Sequence, residues 1–97
     1  MTLTDEQLAS IEELAGLFLT ADEIAILLDI DIDLFIKLIN DKKSLAFKHY
    51  FRGKTESKKN IRANIVKMAR HGSPQAEELV DNYITAQNIF EKKNHGR

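Results

Sequence analysis

Apolar residues in the first 41 positions recur in three short sets at helical spacing, the first being Leu8, Ile11, Leu14, Ala15 and Phe18. Thr4 precedes this set with Gln7 three residues on. That is capping-box spacing, in which the Thr side chain accepts from an exposed backbone N–H and the Gln side chain reaches back. Leu3 and Leu8 stand where a hydrophobic staple stands, so a helix is predicted from Asp5. Thr20 and Glu23 repeat the box and Leu19 and Ile24 the staple, opening a short second helix through Ile24, Leu27 and Leu28 that stops near Asp29. Asp31, flanked by Ile30 and Phe35, caps a third helix, whose apolar set Ile32, Phe35, Ile36, Leu38 and Ile39 runs to about Asn40. With Leu34 added, this helix is apolar nearly all round, more than one buried face requires. Its second face is covered either by the next helix, through Phe47 and Phe51, or by another subunit.

From Ser44 to His71 no proline intervenes, and Phe47, Tyr50, Phe51, Ile61, Ile65, Met68 and Ala69 cluster on one side at about 100° per residue. This reads as one long helix. Lys54 and Lys58 fall on that same side, and Gly53, Thr55 and Ser57 weaken helix propensity, so exposure, a kink or a break is expected in its middle. Its two ends are expected to pack on different partners: Phe47 and Phe51 on the first three helices, Ile61, Ile65 and Met68 on whatever follows. Gly72, Ser73 and Pro74 suit a helix end, an N-cap and a first helical position in turn. A fifth helix begins there with the stripe Ala76, Leu79, Val80, Tyr83, Ile84 and Phe90, and the short connection makes helices four and five an antiparallel hairpin. The predicted fold is all-α: a three-helix helix-turn-helix unit at 1–43 and a helical hairpin at 44–93, packed as one domain, with 94–97 a disordered tail.

At 97 residues the length fits one domain. No Cys is present, which removes disulfides and thiolate zinc sites and suits a reducing, cytoplasmic setting. The longest stretch without a polar side chain, Leu14 to Leu19, is far short of the roughly 20 residues of a membrane span. The first Lys or Arg is Lys37, which argues against a secretory signal. The formal net charge of −1 names no partner, but its distribution is uneven. Residues 1–36 carry nine acids and no Lys or Arg, while residues 37–71 carry eleven bases against Asp41 and Glu56. Such asymmetry points to nucleic acid, or to self-association in which an acidic face meets a basic one.

The segment Leu19 to Asn40, LTADEIAILLDIDIDLFIKLIN, has the helix, short turn and helix of a helix-turn-helix, with Ile24, Ala25, Leu28, Ile30 and Phe35 at the buried positions. Ala25 is small enough to let the two helices cross closely. Together with the basic helix and the run MARHGSPQAEEL, this segment resembles small DNA-binding proteins of phages and prophages, and among them the phage terminase small subunit. The resemblance covers roughly residues 17–90. It implies a homeodomain-like helix-turn-helix and an oligomerising hairpin, binding of double-stranded phage DNA near a packaging start site, and delivery of that DNA to a motor subunit. The sequence departs from the pattern in three places. The turn position that is usually Gly is Asp29, one of the better substitutes in the left-handed conformation. The would-be recognition helix opens Asp31, Ile32, Asp33, which repels phosphate and leaves Lys37 and Asn40 as the candidates for touching bases. No separate C-terminal segment for holding a motor follows the hairpin.

On the fourth helix, with Lys48 at zero, Arg52 and Arg70 lie near 40°, Lys59 near 20° and Arg62 near −40°. Lys48, Arg52, Lys59 and Arg62 are candidates for holding a phosphate backbone, and Lys37, Lys42 and Lys43 extend the patch toward the third helix. The bland alternative is that the stripe is the solvated back of an amphipathic helix. Asp29, Asp31 and Asp33 imitate the start of an EF-hand loop, but Leu34 and Asn40 stand where it needs Gly and Glu. His49, His71 and His95 lack zinc spacing and read as surface or cap residues. No phosphate-cradling Gly-rich loop and no nucleophile motif is present, so no cofactor, metal or catalytic residue is predicted. The expected function is non-enzymatic DNA binding as a homo-oligomer. The alternative is an oligomeric scaffold whose acidic segment docks on the basic segment of a neighbouring chain, a head-to-tail contact that generates rings or filaments.

Overall fold

In a computed structural model, which describes residues 2–95, the chain is all-helical, with no strand among those residues. Its helices are α1 (Asp5–Gly16), α2 (Ala21–Leu27), α3 (Ile32–Asn40), α4 (Leu45–Arg70) and α5 (Pro74–His95). Two compact units form, Met1–Lys59 and Asn60–Arg97. The division falls inside α4, and Ala46 and Tyr50 on its first turns belong to the core built by α1, α2 and α3.

The helix ends are written locally. At α1 the Thr4 hydroxyl accepts from the Gln7 amide at 3.0 Å and the Gln7 side chain accepts from the Thr4 amide at 2.9 Å. At α2 Glu23 accepts from the Thr20 amide at 2.9 Å, while the Thr20 hydroxyl donates to the Asp22 carboxylate and holds that carboxyl below its ordinary pKa. Asp31 caps α3 by accepting from the Leu34 amide at 2.9 Å. Ser44 caps α4 by accepting from the Phe47 amide at 3.0 Å and donates its own proton to the Leu38 carbonyl.

Three helices close with the same pair of backbone bonds, in which the two residues beyond the cap reach back to the last turn. Phe18 and Leu19 donate to Ala15 and Leu14, Asp29 and Ile30 to Ile26 and Ala25, and Gly72 and Ser73 to Ala69 and Met68. The geometry requires a left-handed residue, and these are Phe18 (φ 64°), Asp29 (φ 56°) and Gly72 (φ 93°). Asp29 thus adopts the conformation expected of the turn, whereas Phe18 carries no sequence signal for it.

The first unit's core joins Leu8, Ile11 and Ala15 of α1, Ile24 and Ala25 of α2, Ile30 of the turn, Phe35 and Ile39 of α3, and Ala46 and Tyr50 of α4. Burying side chains as large as Phe35, Ile11 and Ile24 is worth about 1.5–3 kcal/mol each. Of the exposure, kink or break expected in the middle of α4, no break occurs, since the helix is continuous through Gly53, Thr55 and Ser57, and Thr55, Glu56, Lys58 and Lys59 are exposed. Small residues serve close packing there: Gly53 is buried against α1, and a Cβ on it would lie 2.0 Å from the Glu12 carbonyl oxygen. One turn on, Ser57 faces Gly16. Tyr50, not Phe51, supplies the aromatic contact to the core; Phe47 is half-buried and Phe51 exposed. On α3, Leu34 and Leu38 are half-buried, but Ile32 and Ile36 remain exposed, so α4 covers the second face of that helix only in part.

The second unit differs. Ala76 is its one buried residue among those described, Ile65, Val66, Ala69, Val80 and Tyr83 are half-buried, and Ile61, Met68, Leu79, Ile84, Ile89 and Phe90 are exposed. Ser73 accepts from the Ala76 amide at 3.3 Å at the start of α5. The helix continues through Asn94 and His95, beyond the expected fraying point, and the Asn94 side chain donates to the Phe90 carbonyl at 2.7 Å. Gly96, Arg97 and the His95 side chain lie outside the described residues.

Candidate nucleic-acid interface

Lys37 and Asn40 stand on the exposed side of α3, beside Asp33 and Ile36. Of the acids at the start of α3, Asp31 is turned back onto its own helix as the cap, which leaves Asp33 as the free carboxylate there. Lys42 and Lys43 occupy the exposed turn to α4, held by the Lys43 amide donating to Asp41 at 3.0 Å.

Lys48, Arg52 and Lys59 are exposed along α4, roughly opposite the buried positions Ala46, Tyr50 and Gly53. At about 1.5 Å per residue they are spaced by about 6 Å and about 10 Å along the axis. Among the described residues the ion pair present is that of Glu12 and His49, so none of these three cations is neutralised by a neighbouring acid.

Arg62 does not share this setting. It lies in the second unit, half-buried, with its guanidinium 4.0 Å from the centroid of the Tyr83 ring. Arg62 is therefore drawn out of the free stripe expected from the helical wheel by a cation–π contact with α5, while Arg70 further along is exposed.

Two further groupings had no signal in spacing alone. Glu12 accepts from the His49 ring at 2.9 Å across the α1–α4 contact; since a carboxylate only accepts, Nδ1 carries the proton. His49 is thus a packing residue rather than a surface or cap histidine, whereas His71 does cap α4 by donating to the Lys67 carbonyl at 2.7 Å. Beside the basic stripe, Phe47 and Phe51 meet at 4.6 Å, Tyr50 meets Phe51 edge-on at 5.1 Å, and the Lys54 ammonium stands 5.2 Å from the centroids of Tyr50 and Phe51. Lys54, expected to disturb an apolar face, instead extends over the rings of that face.

An open, mainly apolar cavity of about 200 Å³ lies between the N-terminal segment and the start of α4. Its polar side chains are those of Thr2 and Ser44, and the Ser44 hydroxyl is engaged with Leu38. No group of three or more His, Cys, Asp or Glu placed to hold a metal ion occurs among the described residues, and no helix there is long and apolar enough to cross a membrane. No family model, no curated protein and no solved structure matches the chain.

Proposed function

We propose that this chain is a non-enzymatic, cytoplasmic DNA-binding protein of phage or prophage type, similar in role to the small subunit of a terminase. In this reading α2 and α3 act as a helix-turn-helix and α4 and α5 as a hairpin that self-associates. Lys48, Arg52 and Lys59 hold the phosphate backbone, Lys42 and Lys43 extend the contact, and Lys37 and Asn40 face the bases. The observation that carries the reading is that Lys48, Arg52 and Lys59 stay exposed and unpaired in a chain with more acids than bases. Unneutralised cations along one helix match the release of counterions that drives phosphate binding.

The test is a fluorescence anisotropy titration on random and candidate-site duplexes at several salt concentrations, with the protein's mass measured alongside. Log affinity should fall with log salt by about 0.9 per phosphate engaged. Reversing Lys48 and Lys59 to Glu should weaken binding on every sequence, while Asn40→Ala should change sequence preference more than affinity. No binding at low salt would remove the stripe from the account.

A second reading, a scaffold assembled head to tail, is favoured by a different observation. The acids of α1 to α3 other than Glu12 are also exposed without an ion pair, and Leu17, Ile26 and Leu27 are exposed among them. Both readings give oligomers, so they separate on whether Lys48, Arg52 and Lys59 remain accessible to DNA in the assembled protein.

A further inference from the structure

The geometry points to a single nucleic-acid strand, bound through an unpaired base stacked on Phe51, as a ligand of the first unit. The inference rests on the nucleic-acid reading above and deepens it, naming the form of nucleic acid that this face of α4 accepts.

A helix that only holds duplex phosphates needs cations and reach; exposed rings add nothing to such a contact. On α4 they are present together. Phe51 is 39% exposed, although buried Tyr50 already supplies the aromatic contact to the core. Three and four residues along a helix are surface neighbours. By that spacing Phe51 adjoins Phe47, Lys48, Lys54 and Thr55, and Lys58 lies one turn further along the same side. Phe47 braces the ring at 4.6 Å and Tyr50 braces its edge at 5.1 Å, so Phe51 is a fixed platform rather than a loose side chain.

Lys54 occupies the position that a ligand would take. Its ammonium is drawn to the electron-rich ring faces of Tyr50 and Phe51 and has no carboxylate partner. A base arriving on Phe51 displaces that ammonium, which then turns to the phosphate beside the base; the cation–π contact is exchanged for a charge-assisted hydrogen bond. Lys48, Arg52 and Lys59 follow the backbone on either side. Stacking is tolerant of sequence, because every base has a π face, and cationic grooves with ring platforms are how single strands are held. In a duplex the bases are stacked on one another, so Phe51 has no base face to meet.

The experiment compares labelled dT20, U20 and a 20-base-pair duplex by anisotropy, using the full chain and the variants Phe51→Leu, Phe51→Tyr and Lys48→Glu/Lys59→Glu, with helicity and melting checked by circular dichroism. Phe51→Leu keeps the apolar bulk and removes the π face. It should lower affinity for the single strands about tenfold, within the range for one base–aromatic stack, and leave duplex affinity within about twofold. Phe51→Tyr should retain single-strand binding. A preference between dT20 and U20 assigns the strand to DNA or RNA, and either supports the stack. Single-strand affinity unchanged by Phe51→Leu, with duplex affinity lost in Lys48→Glu/Lys59→Glu, would overturn the stack and leave the phosphate stripe standing. Absence of binding to all three probes at low salt would overturn both.

Discussion

In the first unit ten apolar side chains from α1 to α4 close into one core, with Phe35, Ile11 and Ile24 wholly removed from solvent. In the second, α5 carries an apolar stripe of similar composition, yet Ala76 is its buried member and Phe90 is 67% exposed. Amphipathic spacing makes a helix possible in both places; four helices of the first unit contribute to one core, whereas the stripe of α5 stays mostly in water. The difference therefore separates residues whose work is internal from residues available to another molecule.

The sharpest way to break the comparison is to truncate one large aromatic in each unit. Phe35→Ala should cost about 3–5 kcal/mol, the range for emptying a filled core position. Phe90→Ala should cost less than about 0.5 kcal/mol in dilute protein, as for an ordinary surface change. Urea unfolding at two protein concentrations reads both. A Phe90→Ala cost as large as that of Phe35→Ala in the dilute sample would mean that α5 is covered within one chain.

Next in size is the contact between α1 and α4. Ala is the better helix former by about 1 kcal/mol, so by propensity alone Gly53→Ala should stabilise α4. The added Cβ would lie 2.0 Å from the Glu12 carbonyl oxygen, a backbone atom that moves only if α1 moves. Overpacking of this kind should win, with a net loss of about 3 kcal/mol, toward the top of its usual range. Ser57→Ala, in the same contact but smaller than the residue it replaces, is the control that should fold normally. Stability gained in Gly53→Ala would show that the two helices do not meet as closely as described.

Much of this was legible in the sequence, and most of the exceptions have a common cause. Most helix ends were readable because caps are local: Thr4 with Gln7, Asp31, and Gly72 with Ser73 each act within a few residues, whereas the Ser44 cap and the left-handed Phe18 were not read. Of the positions read as buried between α2 and α3, Ile24, Ala25, Ile30 and Phe35 are in the core and Leu28 is half-buried against it, readable because they repeat at short range. Gly53 was misread because propensity is a property of one helix, whereas its use depends on α1, about forty residues earlier in the chain. Phe51 and Tyr50 were not told apart for the same reason: both lie on the apolar side, and only contact with the other helices of the unit leaves Tyr50 buried and Phe51 exposed. At the candidate site, exposure of Lys48, Arg52 and Lys59 followed from the wheel. The capture of Arg62 by Tyr83 did not, since Tyr83 comes from another helix.

A smaller effect compares one motif in both units. Asp29 and Gly72 occupy the same left-handed place after α2 and α4. Left-handed backbone costs a side chain about 1–2 kcal/mol, less for Asp than for most residues, and glycine gives back part of that gain through its freer unfolded chain. Asp29→Gly should therefore stabilise the first unit by about 0.5 kcal/mol. Gly72→Ala should destabilise the second by about 1 kcal/mol, and by strain alone, since no atom lies within 4 Å of the added Cβ. Urea midpoints measure the first change and amide exchange along α5 the second. Equal and opposite shifts are not expected, because Asp tolerates the conformation better than Ala does.

The smallest effect at neutral pH sets the core of the first unit against alkali. Burial disfavours the charged phenolate of Tyr50 and raises its pKa above the ordinary value of 10.0. In the unfolded chain the same hydroxyl titrates near that ordinary value. A raised folded pKa means that the contribution is whole below the unfolded value and is lost as pH rises toward and through the folded one, because the unfolded state gives up its proton first. Stability should thus be flat in this group below about pH 9 and fall above pH 10. No hydrogen bond to the Tyr50 hydroxyl is present, so Tyr50→Phe should be close to neutral at pH 7 and should reduce the slope of stability against pH above 10. Urea midpoints from pH 7 to 11 for both proteins test it. Parallel curves would place the Tyr50 hydroxyl in water in the folded protein.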